Sequence, residues 1–186
     1  DLQLLDGELA AIDNYDGATV TLTRSGGANA EDVFGFAAGN GISFAGGALD
    51  DTLEGGAGDD TLAGGGGHDL LFGGAGADLA VIDESDATAD LVFLGRIPDS
   101  TAFRLALAPG GLDPLASGGD VERFHLIAGS GDDSLSASAG ADTLEGGAGE
   151  DLLLVDRGEA THDLTFLLSA DATLQGDGLR ALGIER

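Results

Sequence analysis

The sequence predicts an all-β fold assembled from very short strands, and three observations carry that prediction. Glycine and aspartate recur in a nine-residue register in two separate stretches, with Leu or Ala two places after each register aspartate. The segments outside those stretches carry short apolar or alternating runs of the kind that half-buried strands show. Helical periodicity of useful length appears nowhere, and 34 glycines in 186 residues oppose helix throughout.

Residues 1–45 read as a strand-rich flank. The stretch DGATVTLTRSGG from residue 16 holds the alternation Thr19, Val20, Thr21, Leu22, Thr23, and apolar runs follow at 33–36 and 42–44. Three short strands joined by Gly and Asn turns are expected there. Residues 46–85 form a first repeat block, in which GGALDDTLE, GGAGDDTLA, GGGGHDLLF and GGAGADLAV follow one another without a gap. The aspartates of its register are Asp51, Asp60, Asp69 and Asp78, and two places after each stand Leu53, Leu62, Leu71 and Ala80.

Residues 86–127 read as a β spacer with strand-like runs at 91–94 and 103–107. Residues 128–158 form a second block, AGSGDDSLS, ASAGADTLE and GGAGEDLLL, with Asp133, Asp142 and Asp151 followed by Leu135, Leu144 and Leu153. Residues 159–186 are a second spacer with a run at 164–168. A longer period overlies the short one. GGAGADLAVID from residue 73 matches GGAGEDLLLVD from residue 146, and DATADLVFL from 86 matches EATHDLTFL from 159, so block and spacer are a duplicated module offset by 73 residues. The two spacers end alike, in Val121-Glu122-Arg123 and Ile184-Glu185-Arg186.

The charge balance narrows the partners. Acidic residues number 34 against 7 basic ones, all arginine, and a formal charge of −27 opposes compaction by self-repulsion. Nucleic acid is excluded, because no basic run exists to neutralise phosphates. A cation is the natural partner. With no cysteine, disulfides, thiolate metal sites and a Cys nucleophile are excluded. No apolar stretch approaches the ~20 residues that span a bilayer. The first residues lack the basic start and apolar centre of a signal peptide, and the chain reads as a segment of something larger.

Calcium fits the nonapeptide. It is a hard cation taking about six to eight oxygens from carboxylates and backbone carbonyls alike. Glycines at the first, second and fourth positions are expected to allow positive φ and turn successive carbonyls inward, while the sixth-position aspartate supplies charge. The remaining x-Leu-x makes a short strand with its Leu inside, so nine residues form half a coil and eighteen a full one.

Gly-Gly-x-Gly-x-Asp-x-Leu-x in tandem, at 46–81 and 128–154, resembles the RTX (repeats-in-toxin) family, whose nonapeptides bind Ca²⁺ in a parallel β-roll. Residues 16–36 resemble a strand-rich extracellular repeat found beside such arrays. The RTX resemblance implies ions held between loops eighteen residues apart. Carried over, one site joins Gly56, Gly58 and Asp60 to Gly73, Ala75 and Asp78. A counterpart joins Gly129, Gly131 and Asp133 to Gly146, Ala148 and Asp151. A third joins Gly47, Leu49 and Asp51 to Gly64, Gly66 and Asp69, with Leu49 standing where the family has Gly and a branched side chain is strained at positive φ. Asp142 has Phe124 eighteen residues before it and Ala160 eighteen after, so no register carboxylate faces it.

Competing readings are weaker. Seven aspartates holding a strict nine-residue register within their two blocks, with aliphatic residues two places on, argue against a mere flexible linker. A phosphate-cradling loop would need a following helix, and in the P-loop a lysine. His68, His125 and His162 are scattered, with no HExxH, and no GxSxG elbow exists, so no enzyme is expected. The expected architecture is two β-roll blocks with β spacers packing against or capping them. The expected function is a calcium-binding module that folds on Ca²⁺ after type I secretion, as scaffold of a larger extracellular or cell-surface protein. The alternatives are an adhesin or stalk module with a cell-surface or glycan ligand, and the non-catalytic repeat domain of a secreted hydrolase.

Overall fold

In a computed structural model, the described residues are 41–154, apart from 96, 98–99, 109–113 and 138–139, together with the backbone of four strands at 2–3, 20–23, 33–35 and 165–167. Sixteen strands and no helix are present among them. In chain order they are β1 (Leu2–Gln3), β2 (Val20–Thr23), β3 (Val33–Gly35), β4 (Ile42–Ala45), β5 (Thr52–Ala57), β6 (Thr61–Ala63), β7 (Asp69–Ala75) and β8 (Leu79–Asp83). There follow β9 (Leu91–Leu94), β10 (Ala102–Leu107), β11 (Pro114–Gly119), β12 (Arg123–Ile127), β13 (Ser134–Ser136), β14 (Thr143–Glu145), β15 (Leu152–Leu154) and β16 (Thr165–Leu167).

The chain alternates between two eight-stranded sheets. The first has the order β1-β2-β4-β6-β8-β12-β14-β16, and all of its pairings are parallel. The second has the order β15-β13-β9-β10-β11-β7-β5-β3. Within the repeats the register advances by eighteen residues per coil, as in Leu53 beside Leu71 and Leu62 beside Ala80. That step sends every register Leu to the same face. Leu53, Leu62, Leu71, Leu135 and Leu144 are buried together with Phe44, Phe93, Phe103, Phe124 and Leu126 in one core contributed by both sheets.

The all-β expectation is met, while the second sheet departs from uniform parallel winding. Strand β10 is antiparallel to both β9 and β11, so the spacer packs against the repeats by entering the second sheet as a three-stranded meander, with β11 paired to β7 and β9 to β13. In the first sheet nothing intervenes: β8 pairs directly with β12 over Leu79–Asp83 and Arg123–Ile127. The insertion is fastened through aromatic edges, Phe93 to Phe124 at 5.2 Å and Phe103 to Phe124 at 4.9 Å between ring centroids.

Strand β11 has the sequence PLASGG, which composition alone does not mark as a strand. Its place is made by small residues. Gly118 lies directly on the backbone of Leu71, where a Cβ would collide with the Leu71 carbonyl, and Pro114 begins the strand, where a missing N–H does least harm.

Candidate metal centre

The strands are tied by glycine loops stacked along two edges of the fold. Loops at 55–60 and 73–78 lead into first-sheet strands, and loops at 46–51, 64–69, 128–133 and 146–151 lead into second-sheet strands. All seven register aspartates are buried. Burying a carboxylate is costly unless its oxygens are satisfied, so the destination of each oxygen is informative.

Oδ1 goes to the neighbouring coil. The N–H of Ile42 donates to Asp60 at 2.8 Å, that of Asp51 to Asp69 at 2.9 Å, that of Asp60 to Asp78 at 2.8 Å and that of Asp133 to Asp151 at 3.0 Å, all across eighteen residues. Asp142 accepts in the same way from the N–H of Phe124 at 2.9 Å. A second, exposed ladder runs one residue earlier, from the N–H of His68 to Asp50, of Ala77 to Asp59 and of Glu150 to Asp132.

Oδ2 turns inward over its own loop. In Asp60, Asp78 and Asp133 it is fully buried and accepts no hydrogen bond from the protein. The Asp60 Oδ2 shares the space over the Cα of Gly55 with the carbonyl of Gly73 in the next coil, and Asp51 Oδ2 shares the space over Gly46 with the carbonyl of Gly64. The opposite loop also contributes, since the carbonyls of Gly56 and Gly58 face Gly74 and Gly76. A buried anionic oxygen beside converging carbonyls, with no donor, is an environment that a hard cation satisfies.

Electrostatics agree. Burial, countered by the N–H of Asp51 and reinforced by the charges of Asp51, Asp50 and Glu84, pushes Asp69 up to about 7. Burial raises Asp78 to about 6 against the N–H of Asp60, with Asp60, Glu122 and Asp59 adding to the rise. Asp133 is raised to about 6 by burial, against the N–H of Leu91 and with the charges of Asp151, Asp90 and Asp132. Asp60 is raised for the same leading reason. Among the described residues, no positive charge acts to lower any of these four carboxylates.

The glycines divide differently from expectation. Of the second- and fourth-position glycines, Gly56, Gly58, Gly65, Gly67, Gly74, Gly76, Gly147 and Gly149 have positive φ, whereas Gly47, Gly129, Gly131 and Gly140 do not, and neither do the first-position ones. Gly55, Gly64, Gly73 and Gly146 are required for another reason: their own aspartate carboxylate lies where a Cβ would stand. The strain anticipated at Leu49 is also absent. Neither Gly47 nor Leu49 has positive φ, so the branched side chain sits in an ordinary backbone conformation at the surface.

A family profile described as the RTX calcium-binding nonapeptide repeat, in four copies, matches residues 45–80 and 125–159. These segments are RTX calcium-binding repeats. No curated protein and no solved structure matches the chain significantly.

The three RTX loop pairs read from the sequence are stacked as pairs. Gly58 N–H donates to the Ala75 carbonyl at 2.8 Å, Gly66 N–H to the Gly47 carbonyl at 3.0 Å, and Ala148 N–H to the Gly129 carbonyl at 3.0 Å. The Gly131 carbonyl faces Gly149, and Gly146 lies under Asp151. No three His, Cys, Asp or Glu side chains converge among the described residues, so an ion between these RTX loops would take mostly carbonyl oxygen. No helix among them is long and apolar enough to cross a membrane.

Two further loops join the RTX stacks without carrying the repeat. Residues 87–90 underlie the loop at 128–133: Leu91 N–H donates to Asp133 at 2.7 Å and Asp132 N–H to Asp90 at 2.9 Å, both across 42 residues. Residues 120–123 overlie the loop at 73–78, with Asp78 N–H donating to Glu122 at 2.8 Å across 44 residues. The only sequence signal for the latter was the shared Val/Ile-Glu-Arg ending of the spacers.

Proposed function

We propose that the chain is a calcium-coupled folding module, a β-roll in two RTX blocks whose ions sit between the stacked loops named above and neutralise the register aspartates. The observation that carries the reading is the set of buried, unbonded Oδ2 atoms of Asp60, Asp78 and Asp133. Without a cation these charges oppose folding, together with a net charge of −27 and the chain entropy of 34 glycines. With calcium bound only to the folded state, its binding free energy becomes folding free energy.

Low calcium inside a cell would keep such a segment extended for type I export, and calcium outside would fold it as a scaffold of a larger extracellular protein. The role is structural and not enzymatic. Circular dichroism of chelated protein titrated with Ca²⁺ tests it: a cooperative gain of β-structure is expected, and Mg²⁺ at equal concentration should not reproduce it, because Mg²⁺ demands near-octahedral sites at about 2.0–2.1 Å. A chelated protein with the same spectrum as the calcium form would overturn the proposal.

A specific observation favours an adhesive role in addition. Leu70, Phe72 and Leu94 are exposed on outward positions of second-sheet strands that bury their alternate residues, and Leu152 and Leu154 are exposed on either side of the half-buried Leu153 in the same sheet. A surface or glycan ligand docking there would make the calcium-ordered segment a presenting module, and loss of cell-surface binding on Phe72→Ser with unchanged calcium-induced folding would distinguish it.

A further inference from the structure

The loop above Asp78 has no repeat sequence, yet it reproduces the contacts of a repeat loop. In the regular stack, Asp60 N–H donates to a carboxylate oxygen of Asp78, and Leu79 N–H donates to the Asp60 carbonyl. One coil further on, Asp78 N–H donates to a carboxylate oxygen of Glu122, and Arg123 N–H donates to the Asp78 carbonyl at 3.0 Å. The third contact is the decisive one. Just as Asp60 Oδ2 and the Gly73 carbonyl meet over Gly55, Asp78 Oδ2 and the Asp120 carbonyl meet over Gly73.

Asp120 reaches that position with a φ of 53°, the left-handed region that Asp tolerates better than most residues and that no other non-glycine among the described residues adopts. Asp78 is fully buried, and its Oδ2 has no hydrogen-bond partner. Arg123 does not take that role, because its guanidinium donates to the Ala77 carbonyl at 2.7 Å on the exposed side. Glutamate is one methylene longer than aspartate, which lets a carboxylate reach the ladder from a loop two residues after Asp120.

We propose that Asp78, the Asp120 carbonyl and Glu122 form an additional calcium site, closing the first repeat block with ligands from the spacer. The proposal rests on the reading of the stacked repeat loops as calcium sites and extends it to residues outside the repeats. Its consequence is that the spacer is recruited by the metal, so the block is terminated by an ion and not by an unpaired aspartate.

The test is the number of calcium ions retained per full-length chain at buffered, saturating free calcium, with circular dichroism reporting the fold on the same samples. Glu122→Gln keeps an acceptor for the Asp78 N–H but removes the charge, and it is expected to bind one ion fewer, or to bind one ion at least tenfold more weakly, with the spectrum of the parent. Asp120→Gly keeps the carbonyl and removes the left-handed strain, so it is expected to bind the full number. If the parent binds calcium and Glu122→Gln matches it in number and affinity, the proposal is overturned while the repeat sites stand. An Asp120→Gly variant that loses an ion also overturns it, because the side chain and not the carbonyl would then be the ligand. A parent chain that binds no calcium would overturn both readings.

Discussion

Asp78 Oδ1 accepts the backbone N–H of Asp60 at 2.8 Å, while its Oδ2 is buried with no hydrogen-bond partner. One carboxylate thus holds two jobs, bracing the preceding coil with one oxygen and offering the other to a cation. The two can be separated by mutation. Asp60→Asn keeps an acceptor for the Ile42 N–H and removes the charge, whereas Asp60→Ala removes both. Both should raise the calcium midpoint for folding, Asp60→Ala by more, within the roughly 1–3 kcal/mol of a lost charged interaction. Asp142→Ala should shift the midpoint less, because Phe124 and not a carboxylate residue lies eighteen places before it. Calcium titrations followed by circular dichroism check the order of the three.

Acid should partly replace calcium. Asp69 is raised to about 7 and Asp78 and Asp133 to about 6, so the calcium-free fold binds protons more tightly than the unfolded chain does. Ionising them in the fold costs stability above those values, and that cost is relieved as pH falls through them, down to the ordinary carboxylate range of about 4. In chelator, β-structure should therefore increase between about pH 7.5 and 4.5, and in saturating calcium the same window should show little change. A chelated protein equally unfolded at both ends of the range would contradict these shifts.

Glycine substitutions should separate by position. Gly64→Ala places a methyl group on the Asp69 carboxylate, whereas the Cβ of Gly66→Ala meets nothing closer than the Cα of Ala48 at 3.8 Å. Gly64→Ala should impair calcium-induced folding, and Gly66→Ala should change stability by no more than about 0.5 kcal/mol, as for an ordinary surface substitution. Denaturation of both variants in excess calcium measures the difference.

Phe124 joins the two sheets where the spacer enters, with edge contacts to Phe93 and Phe103. Phe124→Ala should cost about 3–5 kcal/mol, as truncation of a buried aromatic does. It should also split the calcium-induced transition into two steps by loosening the link between the blocks. A single transition at the parent's midpoint would show that the aromatic contact does not couple them.

The repeats were legible because their chemistry is periodic. The nine-residue register gave the buried Leu53, Leu62 and Leu71, the buried aspartates and the stacked loops, since an eighteen-residue coil repeats both hydrophobic and polar positions. The strands at 91–94 and 103–107 were legible from their apolar runs. What was not legible arises where the register is broken. Leu91 meets Asp133 across 42 residues and Asp78 meets Glu122 across 44, because the inserted β10 and β11 lengthen the coil by more than twenty residues. No local signal marks such contacts. Strand β11 was hidden because its glycines fit it against Leu71, a reason that lies in the neighbour and not in its own sequence. Residues 1–40 and 155–186 lie outside the described residues apart from four short strands, among them the expected ones at 20–23, 33–35 and 165–167.

The direct pairing of β8 with β12 makes the first sheet a continuous template. In a stack where each coil touches chiefly its neighbours, an ordered strand lowers the entropic barrier for the next, and order spreads from whichever end forms first. The second sheet cannot relay that order from β7 to β13 until β9, β10 and β11 have assembled, with one strand running backwards. The first sheet can, because Leu79–Asp83 present a finished edge to Arg123–Ile127. Propagation between the two arrays is therefore one-sided, with one sheet conducting and the other following.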